Sequence, residues 1–223
     1  MIAPRLEHPW LGLDLGQQLR MISWAPHRGG FVRARHILWR EVRNADLTED
    51  FDVLAWLAQD CKARGMADAV AMLTSRKIAT FCQAERRVGS VCAQAVATVG
   101  LSNAERAGDN RGFGAGARST YGTINIAVIL DQPLDDIGLI EAQSIASAAR
   151  TAAVLDSGAI TPDGPATGTG TDCIVVAAPE GDMPFCGLHT PQGKAIAAAV
   201  YAAVREGADQ WIAETGGKPY DLG

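Results

Sequence analysis

The sequence predicts an α+β fold: a mixed or mostly antiparallel β-sheet with helices packed against it. Three observations predict it. Short apolar runs rich in β-branched residues come in clusters and are followed by helical stretches. The order of elements reads β-β-α-β-(α)-β-β-α-β-α, which lacks the strict alternation of a parallel α/β sheet. No internal repeat and no break in composition divides the 223 residues, so one domain over residues 1–223 is expected.

The first strand is read at Leu19–Trp24 and the second at Phe31–Val42, joined by the turn Ala25-Pro26-His27-Arg28-Gly29-Gly30 into a hairpin with a wide tip. Arg33, Arg35 and Arg40 fit a strand with one wet face. Asp46 or Thr48 serves as N-cap for a helix whose Phe51, Leu54, Ala55, Ala58 and Cys61 recur at helical spacing, closed by Gly65. Residues 69–74 form a short strand, residues 78–86 a brief helix, and residues 90–101 a long strand of small residues. The glycine-rich segment 104–118 reads as a lid or loop over a site or as a plain linker. Its Gly112-Phe113-Gly114-Ala115-Gly116 run lacks the Lys-Ser/Thr of a phosphate-binding loop. Tyr121–Leu130 is the clearest strand, with Ile124, Ile126, Val128 and Leu130 on one face and Asn125 on the other. Asp135 and Asp136 open a helix through about Leu155, placing negative charge at its positive end. A loop at 158–167 leads to a buried strand at Ile174–Ala178. A last helix starts at Pro191 behind the N-cap Thr190, buries Ile196, Val200, Val204, Trp211 and Ile212, and stops at Gly216-Gly217.

Charged residues make up 20% of the chain and the net charge is −5, which argues against a nucleic-acid surface. No apolar run reaches the ~18 residues of a membrane span. The first residues lack the basic-then-apolar pattern of a signal peptide, so a cytoplasmic protein is expected. The five cysteines include no Cys-x-x-Cys pair and imply free thiols. The four histidines show no ligand spacing, so no protein-bound metal is expected.

Two polar loops bracket the strand at 174–178 and hold the groups that acyl-transfer chemistry needs. Thr167-Gly168-Thr169-Gly170-Thr171-Asp172 supplies hydroxyls, a carboxylate and backbone N–H groups that glycine lets a ligand approach closely. Gly187-Leu188-His189-Thr190 supplies an imidazole just ahead of a helix N-terminus, where the dipole favours its neutral form. His189 is therefore a candidate general base or a capping residue. Asp172 is a candidate to orient it, to hold a substrate amide or to activate water itself, or else a turn residue bonding its own backbone. Thr169, Gly170 and Thr171 are candidate oxyanion donors or the residues of an ordinary tight turn. Cys173 is a candidate nucleophile or a small buried side chain.

Taken in order, five motifs resemble the adenosylcobinamide amidohydrolase family over residues about 19–206. They are Ser23-Trp24-Ala25-Pro26-His27-Arg28-Gly29-Gly30, Gly100-Leu101-Ser102-Asn103-Ala104 with Gly108-Asp109, Gly122-Thr123-Ile124-Asn125-Ile126, the Thr167–Asp172 loop, and Gly187-Leu188-His189-Thr190 with Gly193. The resemblance implies hydrolysis of the amide joining the aminopropanol tail to the corrin ring, giving adenosylcobyric acid for cobalamin salvage or remodelling, with pseudocobalamin as a further substrate in some relatives. It implies no resident cofactor, since cobalt enters only within the corrinoid, and it leaves a homo-oligomer open. A small residue such as alanine often stands in the family where Cys173 stands, which counts against a nucleophilic cysteine. On this reading His189, aided by Asp172, activates water, and Thr169, Gly170 and Thr171 hold the oxyanion. Asn103, Asp109 and Asn125 bind the rim of the corrinoid, the turn from Ser23 and Trp24 through His27 to Gly30 covers its face, and Thr190 is a further substrate-binding residue. The rivals are a covalent threonine or cysteine intermediate, a corrinoid-binding protein without turnover, and an unrelated nucleotide-using enzyme built on the Gly112–Gly116 loop.

Overall fold

The computed structural model describes residues 1–43, 51–108 and 122–216. In chain order these form β1 (Arg5–Glu7), β2 (Trp10–Ser23), β3 (Gly30–Glu41), α1 (Val53–Ala63), β4 (Val70–Thr74), a 3-10 turn (Ile78–Thr80), β5 (Cys82–Val88), β6 (Val91–Val99) and β7 (Ala104–Glu105). They continue with β8 (Ile124–Leu130), α2 (Asp136–Asp156), β9 (Ile160–Thr161), β10 (Gly164–Pro165), β11 (Gly168–Thr169), β12 (Cys173–Ala178) and α3 (Pro191–Thr215). The main sheet runs β4-β3-β2-β12-β8-β6-β5, with β1 added beside β2. Only β3–β4 and β12–β8 pair in parallel within it. The α+β fold with a mostly antiparallel sheet is therefore as the sequence predicts.

The hairpin of β2 and β3 is present, but β2 begins at Trp10, ahead of the expected Leu19. Its register shifts between Asp14 and Leu19, where Gly16 has φ 74° and the polar residues Gln17 and Gln18 face solvent. That bulge breaks the period-two pattern and hides the first half of the strand. The expected helix at 78–86 is corrected: after the 3-10 turn the chain enters β5, which returns as β6 with Val88 opposite Val91. Cys82 and Ala84 point inward while Gln83 points out, and Gly89, at φ 59°, makes the tight turn.

Both faces of the sheet are covered. On one face of β6, β8 and β12 lie α2 and α3, burying Ala142, Ala146, Ile196, Val200 and Val204 against Ile124, Ile126, Val128, Ile174 and Val176. Each such fully buried aliphatic side chain contributes up to ~1.5–3 kcal/mol. Gly207 lets α3 approach closely, since a Cβ there would stand 2.6 Å from Val99 Cγ2. The other face carries Val96, Ala127, Ile129, Val175 and Ala177. It packs with Leu11, Leu13, Met21, Ile37, Trp39, Val70 and Met72, so the sheet curls over itself around a second core. Polar ties close the curl: Trp39 Nε1 donates to Asn125 O at 3.4 Å and Asn125 Nδ2 donates to Leu73 O at 2.6 Å. Outside β3 and β4 sits α1, which packs Leu57 and Cys61 with Trp10, Leu38 and Ala71.

The starts of the two long helices are those read from the sequence, whereas α1 begins at Val53, later than the expected Asp46 or Thr48 cap. Asp135 caps α2 by accepting from Gly138 N, and Thr190 caps α3 by accepting from Gly193 N with Pro191 in the first turn. For α1 the cap is Asp52, accepting from Ala55 N. The candidate caps Asp46 and Thr48, the start of the expected strand at Tyr121, the Gly112–Gly116 run and Gly217 lie outside the described residues.

Candidate active site

A cavity of about 210 Å³ opens where the end of β4 passes over the starts of β8 and β12. Trp24, Leu73, Thr123, Asn125, Thr171 and Cys173 contribute to its wall. A larger, open groove of about 650 Å³ runs along α3 past Tyr201, Arg205 and Asp209, and it collects none of the residues singled out by the sequence.

The wall is held by a set of hydrogen bonds among loops far apart in sequence. Thr123 Oγ1 donates to Thr171 O at 2.7 Å and lies 3.1 Å from Asn125 Oδ1, so its one proton faces two acceptors. Thr171 Oγ1 donates to Gly122 O at 2.8 Å and accepts from Asn103 Nδ2 at 3.3 Å. Asn103 Oδ1 is buried without a partner among the described residues, beside Gly122, where a Cβ would come within 3.0 Å of it. Pairing of β7 with β11 brings the 103–105 and 168–171 segments together. Trp24 is 50% exposed at the mouth, and its indole N–H donates to Asp172 O at 2.6 Å. An aromatic face kept half-wet and fixed by its polar edge suits a flat apolar ligand.

Asp172 is engaged on all sides. Its carboxylate accepts from Ile124 N at 3.1 Å, from Thr169 N at 3.0 Å, from the Thr169 hydroxyl and from the Arg150 guanidinium, and its side chain is 6% exposed. A carboxylate with four donors has little capacity left for a water or an imidazole. Arg150 comes from α2 and was not singled out by the sequence. Its signal was a lone cation in a helix that buries Ala142, Ala146, Ala149 and Ala153. Burial lowers the pKa of Arg150 from its ordinary value, and the group remains a cation at any working pH. Gly168 leaves the room for this pair, because a Cβ there would collide with both Arg150 and Asp172.

His189 is not part of this cluster, and the expected meeting of Asp172 and His189 is not found. Asp172 precedes β12 and His189 follows it, so the strand alone separates them by ~20 Å at ~3.3 Å per residue. α2 provides a second yardstick. Arg150 meets Asp172 while Glu141 meets the Cys186 amide, about 13 Å apart along the helix at 1.5 Å per residue. His189 is exposed in the turn before α3. Adjacency of two loops to one strand brought them together in the sequence reading, but the strand's length keeps them apart.

The remaining candidates divide in the same way. Asn125 is fully buried and Thr171 exposed at the cavity wall, while Gly170 stands 3.9 Å from Asn103 Nδ2 when given a Cβ. Ser23 is buried, and its hydroxyl accepts from Ala25 N at 3.3 Å to shape the turn carrying Trp24. His27 Nε2 lies 3.0 Å from Ala67 O and its backbone pairs with Ala71, which pins the hairpin tip to the α1–β4 turn rather than lining the cavity. Gly30, at φ 84°, opens β3, and Thr190 caps α3; neither reaches the cavity. Asp109 lies outside the described residues. Cys173 lines the cavity, but burial pushes its thiol up to about 12, so it stays protonated and weakly nucleophilic at neutral pH.

The α+β fold carries a small, mostly apolar cavity, and the family match places the chain among amide-bond hydrolases. The chain belongs to the adenosylcobinamide amidohydrolase family, whose model matches residues 3–216, a wider span than the motifs cover. Among solved structures it is similar to the PH0078 protein from Pyrococcus horikoshii OT3, at 11% identity over 89% of this chain and 76% of that one, with a TM-score of 0.48. It is also similar to the L-aminopeptidase D-Ala-esterase/amidase from Ochrobactrum anthropi, at 12% identity over 96% of this chain and 82% of that one, with a TM-score of 0.42. A comparison with curated proteins finds no match. No helix among the described residues is long and apolar enough to cross a membrane.

Proposed function

We propose that this amidohydrolase cleaves the amide joining the aminopropanol tail to the corrin ring of adenosylcobinamide, releasing adenosylcobyric acid for corrinoid salvage in the cytoplasm. Pseudocobalamin is a second substrate within the same proposal. The observation that carries it is the size and furniture of the cavity. At about 210 Å³ it falls below the ~300–1,000 Å³ of a pocket that swallows a drug-sized ligand. Only the amide arm enters, and the corrin stays outside against the exposed face of Trp24. The reaction asks for donors where the carbonyl oxygen gains charge and for a route that delivers a proton to the departing amine. Thr123 and Thr171 stand in the wall beside the arm, and the Asn103 amide behind them holds the Thr171 hydroxyl. Asp172 holds the wall, and His189 takes no part. The protein's own residues suffice without a resident cofactor, the cobalt arriving within the substrate.

Thr123 and Thr171 stand in the cavity wall and no imidazole lines it among the described residues, which favours a second reading of the chemistry. A threonine oxygen adds to the amide carbonyl, the C–N bond breaks, and the amine leaves with the hydroxyl proton. Water then hydrolyses the ester and restores the threonine. The test of both is incubation with adenosylcobinamide followed by mass identification of products. Equal amounts of adenosylcobyric acid and aminopropanol are expected, and an acyl-threonine in the quenched enzyme marks the covalent route. Tight binding of unchanged adenosylcobinamide would make the protein a corrinoid binder and end the proposal.

A further inference from the structure

We infer that Arg150 is the positioning residue of the amide-cleaving site, setting both the threonine wall and the Trp24 platform through its buried pair with Asp172; this rests on the reading given above. The guanidinium, on a side chain 16% exposed, meets a carboxylate on a side chain 6% exposed. From that carboxylate the connection branches. One branch runs to Ile124 N at the start of β8, next to Thr123, and another to the amide and hydroxyl of Thr169, two residues from Thr171. The third runs through the residue's own backbone, whose carbonyl holds the indole of Trp24. One cation anchored in α2 thereby fixes three walls contributed by β2, β8 and the β11–β12 loop.

The arrangement has the character of a device for position rather than for stability. A buried ion pair is often replaceable by apolar groups at no cost in stability, whereas removing one partner leaves a buried charge unpaired. The chain has also kept glycine at position 168, giving up side-chain packing to admit the pair.

The experiment uses Arg150→Met, Arg150→Ala, Arg150→Lys and the double variant Arg150→Met/Asp172→Asn in the full chain. The double variant buries no lone charge and is expected to fold, yet to lose at least tenfold in kcat/KM for adenosylcobinamide. Arg150→Lys is expected to regain most of what Arg150→Met loses, and guanidinium ion added to Arg150→Ala to raise its turnover. In protein without substrate, the near-ultraviolet dichroism assigned to Trp24, by difference from Trp24→Phe, is expected to weaken in the double variant. A folded double variant with unchanged kcat/KM and an unchanged Trp24 signal overturns the inference. So does a loss of activity that neither lysine nor guanidinium relieves while the Trp24 signal stays intact. Should the wild type fail to cleave adenosylcobinamide, the functional reading falls, and the Trp24 signal alone still decides whether Arg150 positions the mouth.

Discussion

Asp172 and His189 lie close in sequence, yet the structure gives them different duties. Asp172 closes a buried hydrogen-bond set, so Asp172→Asn leaves the Arg150 cation with a weakened partner. Breaking such a pair costs ~3–5 kcal/mol when no compensating change is made. We expect Asp172→Asn to show a clearly lower thermal midpoint and turnover reduced at least tenfold, whereas His189→Ala keeps both close to wild type. Calorimetry and product assay read the two side by side, and a hundredfold loss in a well-folded His189→Ala protein would return the imidazole to the mechanism. Among the thiols, burial pushes Cys61 up to about 11 and Cys82, Cys173 and Cys186 up to about 12. A raised pKa leaves almost no thiolate near pH 7.5, and thiolate is the reactive form. Cys92 is only partly buried and its pKa is raised less decisively. Titration of the native protein with a thiol reagent at pH 7.5 should therefore modify Cys92 first, with the other four reacting only on unfolding. Fast labelling of Cys173 would revive it as a nucleophile.

At the scale of elements, what was legible in the sequence was what local chemistry decides. The caps Asp135 and Thr190, the proline behind Thr190, the apolar face of β8 and the continuous apolar run of β12 are local signals, and both long helices start where their signals stand. What escaped was set by partners distant in sequence. β5 reads as a helical stretch until β6 lies beside it, and the first half of β2 is concealed by a bulge that only β1 and β3 rationalise. The candidate site follows the same rule. The Gly-Thr loop and Asn125 were visible as polar residues flanking apolar strands. Arg150 was not, because its meaning depends on a carboxylate that arrives from another loop. One contact between elements is sharp enough to test. A Cβ on Gly193, in the first turn of α3, would sit 2.2 Å from Gly187 O and 2.3 Å from Cys186 O, where only backbone could yield. Gly193→Ala gains helix propensity of at most ~1 kcal/mol, but overpacking costs typically ~1–3 kcal/mol. We expect a net loss of stability in urea unfolding, with α3 displaced from the 186–187 turn, and a stabilised variant would show that this turn moves freely.

Across the whole molecule, the cavity exists because the sheet is long enough to curl until β4 reaches β8. Two halves of one sheet thus face each other, and their apolar contact would slide without a polar pin, since hydrophobic packing is not directional. Asn125 is that pin. It is fully buried, it donates to Leu73 O on β4 and stands within reach of the Thr123 hydroxyl, and its backbone carbonyl takes the Trp39 indole from β3. Removing its side chain takes from the Leu73 carbonyl, at the cavity wall, the donor that ties β4 to β8, a net loss of ~0.5–1.5 kcal/mol. It also removes one of the two acceptors facing the threonine hydroxyl. Stability and activity are therefore coupled at this position through one side chain. Asn125→Ala should lower the urea midpoint, speed amide exchange along β4 and β8 together rather than along either alone, and reduce turnover more than its loss of folded protein explains. Asn125→Asp tests the direction of the bond: an ionised carboxylate cannot donate to Leu73 O, so this near-isosteric change should be at least as damaging as the truncation. If it is instead tolerated with exchange on β4 unchanged, the two halves are held by packing alone, and the cavity's shape must be traced to the apolar core between them.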